Sequence, residues 1–372
     1  MDAKKTEIKE LKRLHREFSH AAKHLFGYTI SLLFDYSKLY KFLNFPINNI
    51  GDPFSQPSNL KINTLQIERK VIDRLAKLFH LKNNEHWGYV TNGGTEGNLY
   101  GLYLARELYP KGIVFLSDQT HYSAMKNIRL LRMPYIMVGS LANGEIDYDA
   151  LEKELAANQQ MGPPIFFVNI GTTMKGAIDD LKKIHRIISK LKISEYYIHC
   201  DAAFYGMVLP FISEVKPFDF RAGIDSIAIS GHKMIGSPIP CGVVITKKSH
   251  VDKISTSIEY VGIKDTTISG SRNGITPLFL WHELVYSCQK KFKKKVQSCF
   301  EKANYIIERF HKHGIHAWRN PGSLTIVLPC PSKKIAKKWQ LPTQGDICCM
   351  IALPQLTKRK IDQFIKEFAA DV

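Results

Sequence analysis

From the end of a helix-periodic stretch at 64–81 to about residue 245, short apolar runs alternate with amphipathic segments. This alternation constrains the fold more than any other feature of the chain. The runs are Gly88-Tyr89-Val90-Thr91, Ile113-Val114-Phe115-Leu116, Ile165-Phe166-Phe167-Val168, Tyr197-Ile198-His199-Cys200 and Ser226-Ile227-Ala228-Ile229, and they give way to residues such as Gly, Asp and Ser. A strand apolar on both faces must be covered on both faces, and helices between such strands supply the cover. The pattern predicts an α/β fold with a mostly parallel central sheet sandwiched by helices.

The flanks differ. Leu11, Leu14, Phe18, Ala22 and Leu25 recur at helical spacing among charged residues, which predicts a helical arm within residues 1–30. Turn formers crowd the stretch from Phe45 to Pro53. A long helical stretch at 277–313 leads to apolar runs at 325–328 and 348–353 and a last helix at 357–369, the makings of a small C-terminal α+β domain. No apolar stretch approaches the roughly 18–20 residues of a membrane span, and the charged N-terminus is unlike a signal core; a soluble cytoplasmic protein is expected. The seven cysteines, Cys200, Cys241, Cys288, Cys299, Cys330, Cys348 and Cys349, are odd in number and lack metal-site spacing, so reduced thiols and no metal are expected. The net charge of +18 is mainly a lysine surplus, as at 290–295. A solvated helix face explains it, and no nucleic-acid module accompanies it.

Ligands in α/β sheets collect at the carboxyl ends of strands, and four such ends carry unusual polar clusters. Asn92-Gly93-Gly94-Thr95-Glu96-Gly97-Asn98 opens a helix, and its glycines and unpaired N–H groups suit a phosphate, although a capped turn looks the same. Ser117-Asp118-Gln119-Thr120-His121 ends in a flat aromatic that either stacks on a planar ligand or is structural. Asp201-Ala202-Ala203 places a carboxylate at a strand end beside two small residues, where it pairs with a cation, whether a structural one or a ligand's ring nitrogen. Ser230-Gly231-His232-Lys233 presents a lysine whose desolvation would make its amine a nucleophile, the alternative being a surface lysine in a turn.

Taken in that order, these clusters resemble the group II pyridoxal-phosphate (PLP) dependent amino-acid decarboxylases, and among them the bacterial histidine decarboxylases. The densest stretches are 87–98, Asn169-Ile170-Gly171-Thr172-Thr173, 230–242 and Gly270-Ser271-Arg272-Asn273-Gly274. The resemblance implies the PLP-dependent transferase fold type I. It implies an N-terminal helical arm and loop at 1–55, a large PLP-binding domain at 56–290 and a small C-terminal domain at 291–372. Lys233 would carry PLP, Asp201 would pair with the pyridine nitrogen, and His121 would stack on the ring with Ala203 against its other face. Gly94, Thr95, Ser230 and His232 would bind the phosphate, and Thr172 or Thr173 would lie near the ring hydroxyl. Tyr260 is the candidate proton donor. A homodimer with shared sites is implied, the Ser271 turn coming from the partner chain, with a small L-amino acid as substrate and neither nucleic acid nor membrane as partner.

L-Histidine is the favoured substrate. The segments 47–54 and 339–346 instead resemble plant-type serine decarboxylases, and Ile275 stands where a histidine is expected, so L-serine, and another small or aromatic L-amino acid of the group II decarboxylases, stay open. An aminotransferase or lyase on the same fold and a PLP-fold protein without catalysis are the competing classes; the Ser-Gly-His-Lys context and the complete set of cofactor positions argue against them.

Overall fold

The computed structural model describes residues 2–55, 60–213, 215–255, 257–258, 263–286 and 289–372. Its centre is a seven-stranded sheet built from β1 (His86–Thr91), β2 (Ile113–Ser117), β3 (Tyr135–Val138), β4 (Pro164–Asn169), β5 (Tyr197–Asp201), β6 (Ser226–Ser230) and β7 (Gly242–Lys247). The spatial order is β1-β7-β6-β5-β4-β2-β3. All pairings are parallel except those of β7, which lies antiparallel between β1 and β6. The carboxyl ends of β1, β2, β4, β5 and β6 therefore share one edge.

Successive side chains point to opposite faces of a strand, and here both faces are buried. Phe115, Phe166, Val168, Ile198 and Ile227 belong to one core, while Val114, Leu116, Ile165, Phe167 and Tyr197 belong to the other. The second face is covered by α3 (Gly94–Leu108), which packs on β5, β6 and β7, and by α4 (Ser123–Leu131), which packs on α3. On the first face lie α2 (Leu65–Leu78), α5 (Tyr148–Asn158) and α6 (Leu181–Lys190). Asp147 and Asp180 cap α5 and α6, each accepting two backbone N–H bonds of the first turn.

A second sheet of β8 (Thr325–Pro329), β9 (Thr343–Gln344) and β10 (Ile347–Ile351) is antiparallel in the order β8-β10-β9. It packs with α7 (Gln289–Lys312) and α8 (Lys358–Ala369). The helix expected over 277–313 is interrupted. It comprises an α segment at Thr276–Trp281, a wider turn at His282–Tyr286, and then α7. The N-terminal helix α1 (Asp2–Ala22) stops short of residue 30. Beyond it the chain runs as an extended strap whose backbone is fixed from two sides: Ile351 N–H donates to Phe26 O at 2.8 Å, and Ser31 N–H donates to Lys233 O at 3.1 Å.

Candidate active site

The shared strand edge opens into a cavity of about 910 Å³. Gly94, Thr95, His121, Thr172, Thr173, Asp201, Ala203, Ser230, His232 and Lys233 all line it. Each strand end predicted to bind a ligand thus arrives at one place. The strap residues Gly27–Ile30, with Gln344 and Ile351, also line it.

α3 begins at Gly94 without a side-chain cap, and its first residues, Gly94 and Thr95, line the cavity. A Cβ on Gly94 would sit 2.5 Å from Ser230 Oγ, so glycine is what allows the helix start and the end of β6 to close on each other. This cradle suits an anion. His232 lies beside it, with Nδ1 2.9 Å from Cys241 O and 3.3 Å from Cys241 N. The Cys241 peptide supports either ring tautomer, and the one accepting from Cys241 N–H turns an Nε2–H donor outward. Burial holds the His232 ring below its ordinary pKa.

Lys233 sits in a wide π-type turn, Gly231–Ile235, in which Gly236 N–H donates to Gly231 O at 3.1 Å and Gly236 takes φ 93°, a left-handed conformation that favours glycine. Burial lowers the Lys233 amine below its ordinary pKa, with Asp201 pulling the other way, and a larger neutral fraction is the form that attacks an aldehyde. The His121 ring is likewise held low, mainly by burial. Its Nδ1 lies 2.8 Å from Ser123 Oγ and accepts the Ser123 N–H at 3.3 Å, which fixes the plane of the imidazole. Asp201 ends β5 with both oxygens engaged. Oδ1 accepts from Ala203 N–H at 3.0 Å and Oδ2 from Asn98 Nδ2 at 2.8 Å.

A conserved domain described as the pyridoxal-dependent decarboxylase domain matches residues 60–317. The chain belongs to the pyridoxal-dependent decarboxylase family. Its cofactor is pyridoxal 5′-phosphate and its reaction class is carboxy-lyase. This decarboxylase is 45 % identical over 369 residues to a histidine decarboxylase of Vibrio campbellii, covering 98 % of this chain and 95 % of the relative. It is 46 % identical to a histidine decarboxylase of Pseudomonas entomophila, covering 96 % and 90 %. L-Methionine decarboxylase from Streptomyces sp. superposes with a TM-score of 0.88 at 26 % identity, covering 98 % of this chain and 94 % of that one. A Lactobacillus brevis glutamate decarboxylase, TM-score 0.80 at 18 % identity, shares the fold.

One expected residue, Ser271, does not line this cavity. Ser271 is exposed on a short strand paired with Asn48–Ile50, where it accepts from Asn48 Nδ2 at 3.1 Å. Tyr260 lies outside the described residues. Ile275 packs against a small cluster around Tyr36, Leu39, Leu278 and Phe279 and does not line the cavity of its own chain. The sequence pattern assigns no role to Asn98 or His199; Asn98 reaches Asp201 from the start of α3, and His199, on Asp201's own strand, bonds Asn98 from behind.

Proposed function

We propose that this decarboxylase converts L-histidine to histamine and CO₂, with PLP held on Lys233. One observation carries the site reading: a half-buried lysine, a carboxylate, an imidazole and a helix start without a side-chain cap line a single cavity at adjoining strand ends. The relatives named as histidine decarboxylases, 45–46 % identical over nearly the whole chain, support the substrate.

When bound, the pyridine ring accepts the electron pair released as CO₂ leaves. The chain's residues supply the rest. Lys233 attaches and releases through its amine. Asp201, held by Asn98 and Ala203, would face the ring nitrogen. His121 would stack on one face of the ring, with Ala203 against the other. Gly94, Thr95, Ser230 and His232 would take the phosphate, and Thr172 or Thr173 would lie near the ring hydroxyl. The strap at Gly27–Ile30 lines the cavity, and its cover would restrict water around a substrate carboxylate, which favours losing its charge.

The partner is proposed to be a second copy of this chain. Leu11 and Phe18 are 68 % and 64 % exposed on one stripe of α1, and Leu33, Leu43 and Phe45 are exposed further along. An apolar surface of this kind marks an association face. Ser271 of one copy would then border the cavity of the other.

The test is purified protein with PLP against each common L-amino acid, following CO₂ and the amine by mass. Histamine from histidine is the expected result. Ethanolamine from serine with histidine inert would reassign the substrate, and a keto acid without CO₂ would overturn the reaction class.

A further inference from the structure

His199 is buried on β5, two residues before Asp201, on the face covered by α3. It does not itself line the cavity, although its partner Asn98 does, and the chemistry proposed for the cofactor site does not use it. Space for its ring is made by Gly101 of α3, where a Cβ would lie 2.2 Å from His199 Nδ1. The imidazole is bonded at both nitrogens: Nε2 is 2.9 Å from Asn98 Oδ1, and Nδ1 is 2.7 Å from Ser226 Oγ. Tyr197 OH in turn donates to Ser226 Oγ at 2.9 Å.

The bonds have one consistent polarity. Asn98 donates from Nδ2 to Asp201, so its Oδ1 must accept, and His199 Nε2 carries the proton. Nδ1 is then the acceptor of the Ser226 hydroxyl, whose oxygen takes the Tyr197 proton. Reversing the chain would turn Asn98 Oδ1 against Asp201 Oδ2, two acceptors face to face. Burial holds the His199 ring at about 4, so the neutral form required by this pattern is the resident one near neutral pH.

We propose that His199 is a positioning residue for Asp201: through Nε2–H it locks the Asn98 amide so that Nδ2 points at the carboxylate, fixing the oxygens that meet the ring nitrogen of the cofactor. This rests on the reading of Asp201 as the ring-nitrogen partner. Serine and tyrosine behind the imidazole select its tautomer, and the selection is transmitted over three hydrogen bonds to the site edge.

The test compares His199→Leu, His199→Gln, Asn98→Ala, Asn98→Ala/His199→Leu and Asp201→Ala as holoenzymes. The readouts are the equilibrium dissociation constant of PLP, the pH titration of its visible absorption, and kcat and KM. Gln can place an amide N–H near the position of Nε2, so His199→Gln is expected to stay within about threefold of wild type. His199→Leu is expected to weaken PLP and lower kcat by about 10- to 100-fold, the scale of one hydrogen bond to a charged group. The double variant is expected to be no worse than Asn98→Ala, because both cut the same link. Should His199→Leu not fold, Asn98→Ala against His199→Gln carries the comparison, alanine being favourable inside a helix. Equal damage in His199→Leu and His199→Gln, or effects that add in the double variant, would mean packing alone and overturn the proposal. A His199→Leu enzyme within twofold of wild type while Asp201→Ala collapses would sink the relay and leave the Asp201 reading standing. An unaffected Asp201→Ala would remove both.

Discussion

Glu68 and Arg272, 204 positions apart, form a buried ion pair with exposures of 0 % and 2 %. The Glu68 carboxylate also accepts from Val90 N–H at 2.8 Å and Asn49 Nδ2 at 2.7 Å, and Arg272 Nη2 donates to Gly51 O at 2.7 Å. One side-chain pair thereby joins α2, the strand leading into the Gly94 cradle, and both halves of the Asn48–Ile50 and Ser271–Asn273 ribbon. Removing one partner strands a buried charge. Glu68→Gln is expected to lower unfolding free energy by about 3–5 kcal/mol, and Glu68→Met with Arg272→Leu to recover much of it. Urea unfolding monitored by tryptophan fluorescence measures both, and a Glu68→Gln protein as stable as wild type would contradict this account.

Lys233→Ala removes the amine that carries the cofactor. It is expected to abolish the visible absorption of lysine-bound PLP, near about 420 nm, and to cut turnover by at least about 10³-fold, with far-ultraviolet circular dichroism unchanged. Turnover comparable to wild type would place the cofactor elsewhere.

Tyr205 ties the site to the C-terminal sheet. Its OH lies 2.8 Å from Ser323 Oγ and 2.7 Å from Thr325 Oγ1, and it accepts the N–H groups of Leu324 and Thr325. Its ring also fills the space beside Gly171, where a Cβ would lie 1.9 Å from Tyr205 Cδ2. Tyr205→Phe keeps the ring and leaves those buried groups short of a partner, a loss of about 1–3 kcal/mol. A lower denaturation midpoint is the expected reading, and an unchanged one would show that the hydroxyl cluster re-pairs internally.

His199 gives stability a pH dependence with a definite sign. Its ordinary value is 6.5 and burial depresses it to about 4. Between those values the unfolded chain binds a proton that the folded chain refuses. Its contribution is therefore complete above the ordinary value, is lost progressively as pH falls towards 4, and changes no further below that. The span amounts to about 3 kcal/mol. Denaturation curves from pH 7 down to 4.5 should fall less steeply for His199→Gln than for wild type. Parallel curves would mean that the imidazole charges without penalty.

Much of the site is legible in the sequence. The runs around Val114, Phe166 and Ile198 read as buried strands because helices cover both faces, and the polar residues at their ends, His121, Asp201 and Lys233, were visible because apolar periodicity stops there. Other parts carried no local sign. β3 was missed because it is an edge strand with Tyr135 and Met137 exposed, and β7 because it runs against the parallel alternation. The break before α7 also escaped notice, since its apolar spacing continues across the interrupted turn.

Residue type and spacing thus settled which groups stand at strand ends, for the two-residue strand period and helix-start chemistry are properties of neighbouring residues. Which groups meet was decided by the fold. Asn98 and His199, 101 positions apart, share a hydrogen bond because α3 crosses β5 at Gly101, and Glu68 meets Arg272 because α2 passes beneath the ribbon. The strap at 26–31 lines the cavity because its backbone pairs with Ile351 and Lys233. Such pairings depend on the packing distance between elements remote in the chain, and the local pattern of side chains does not encode that distance.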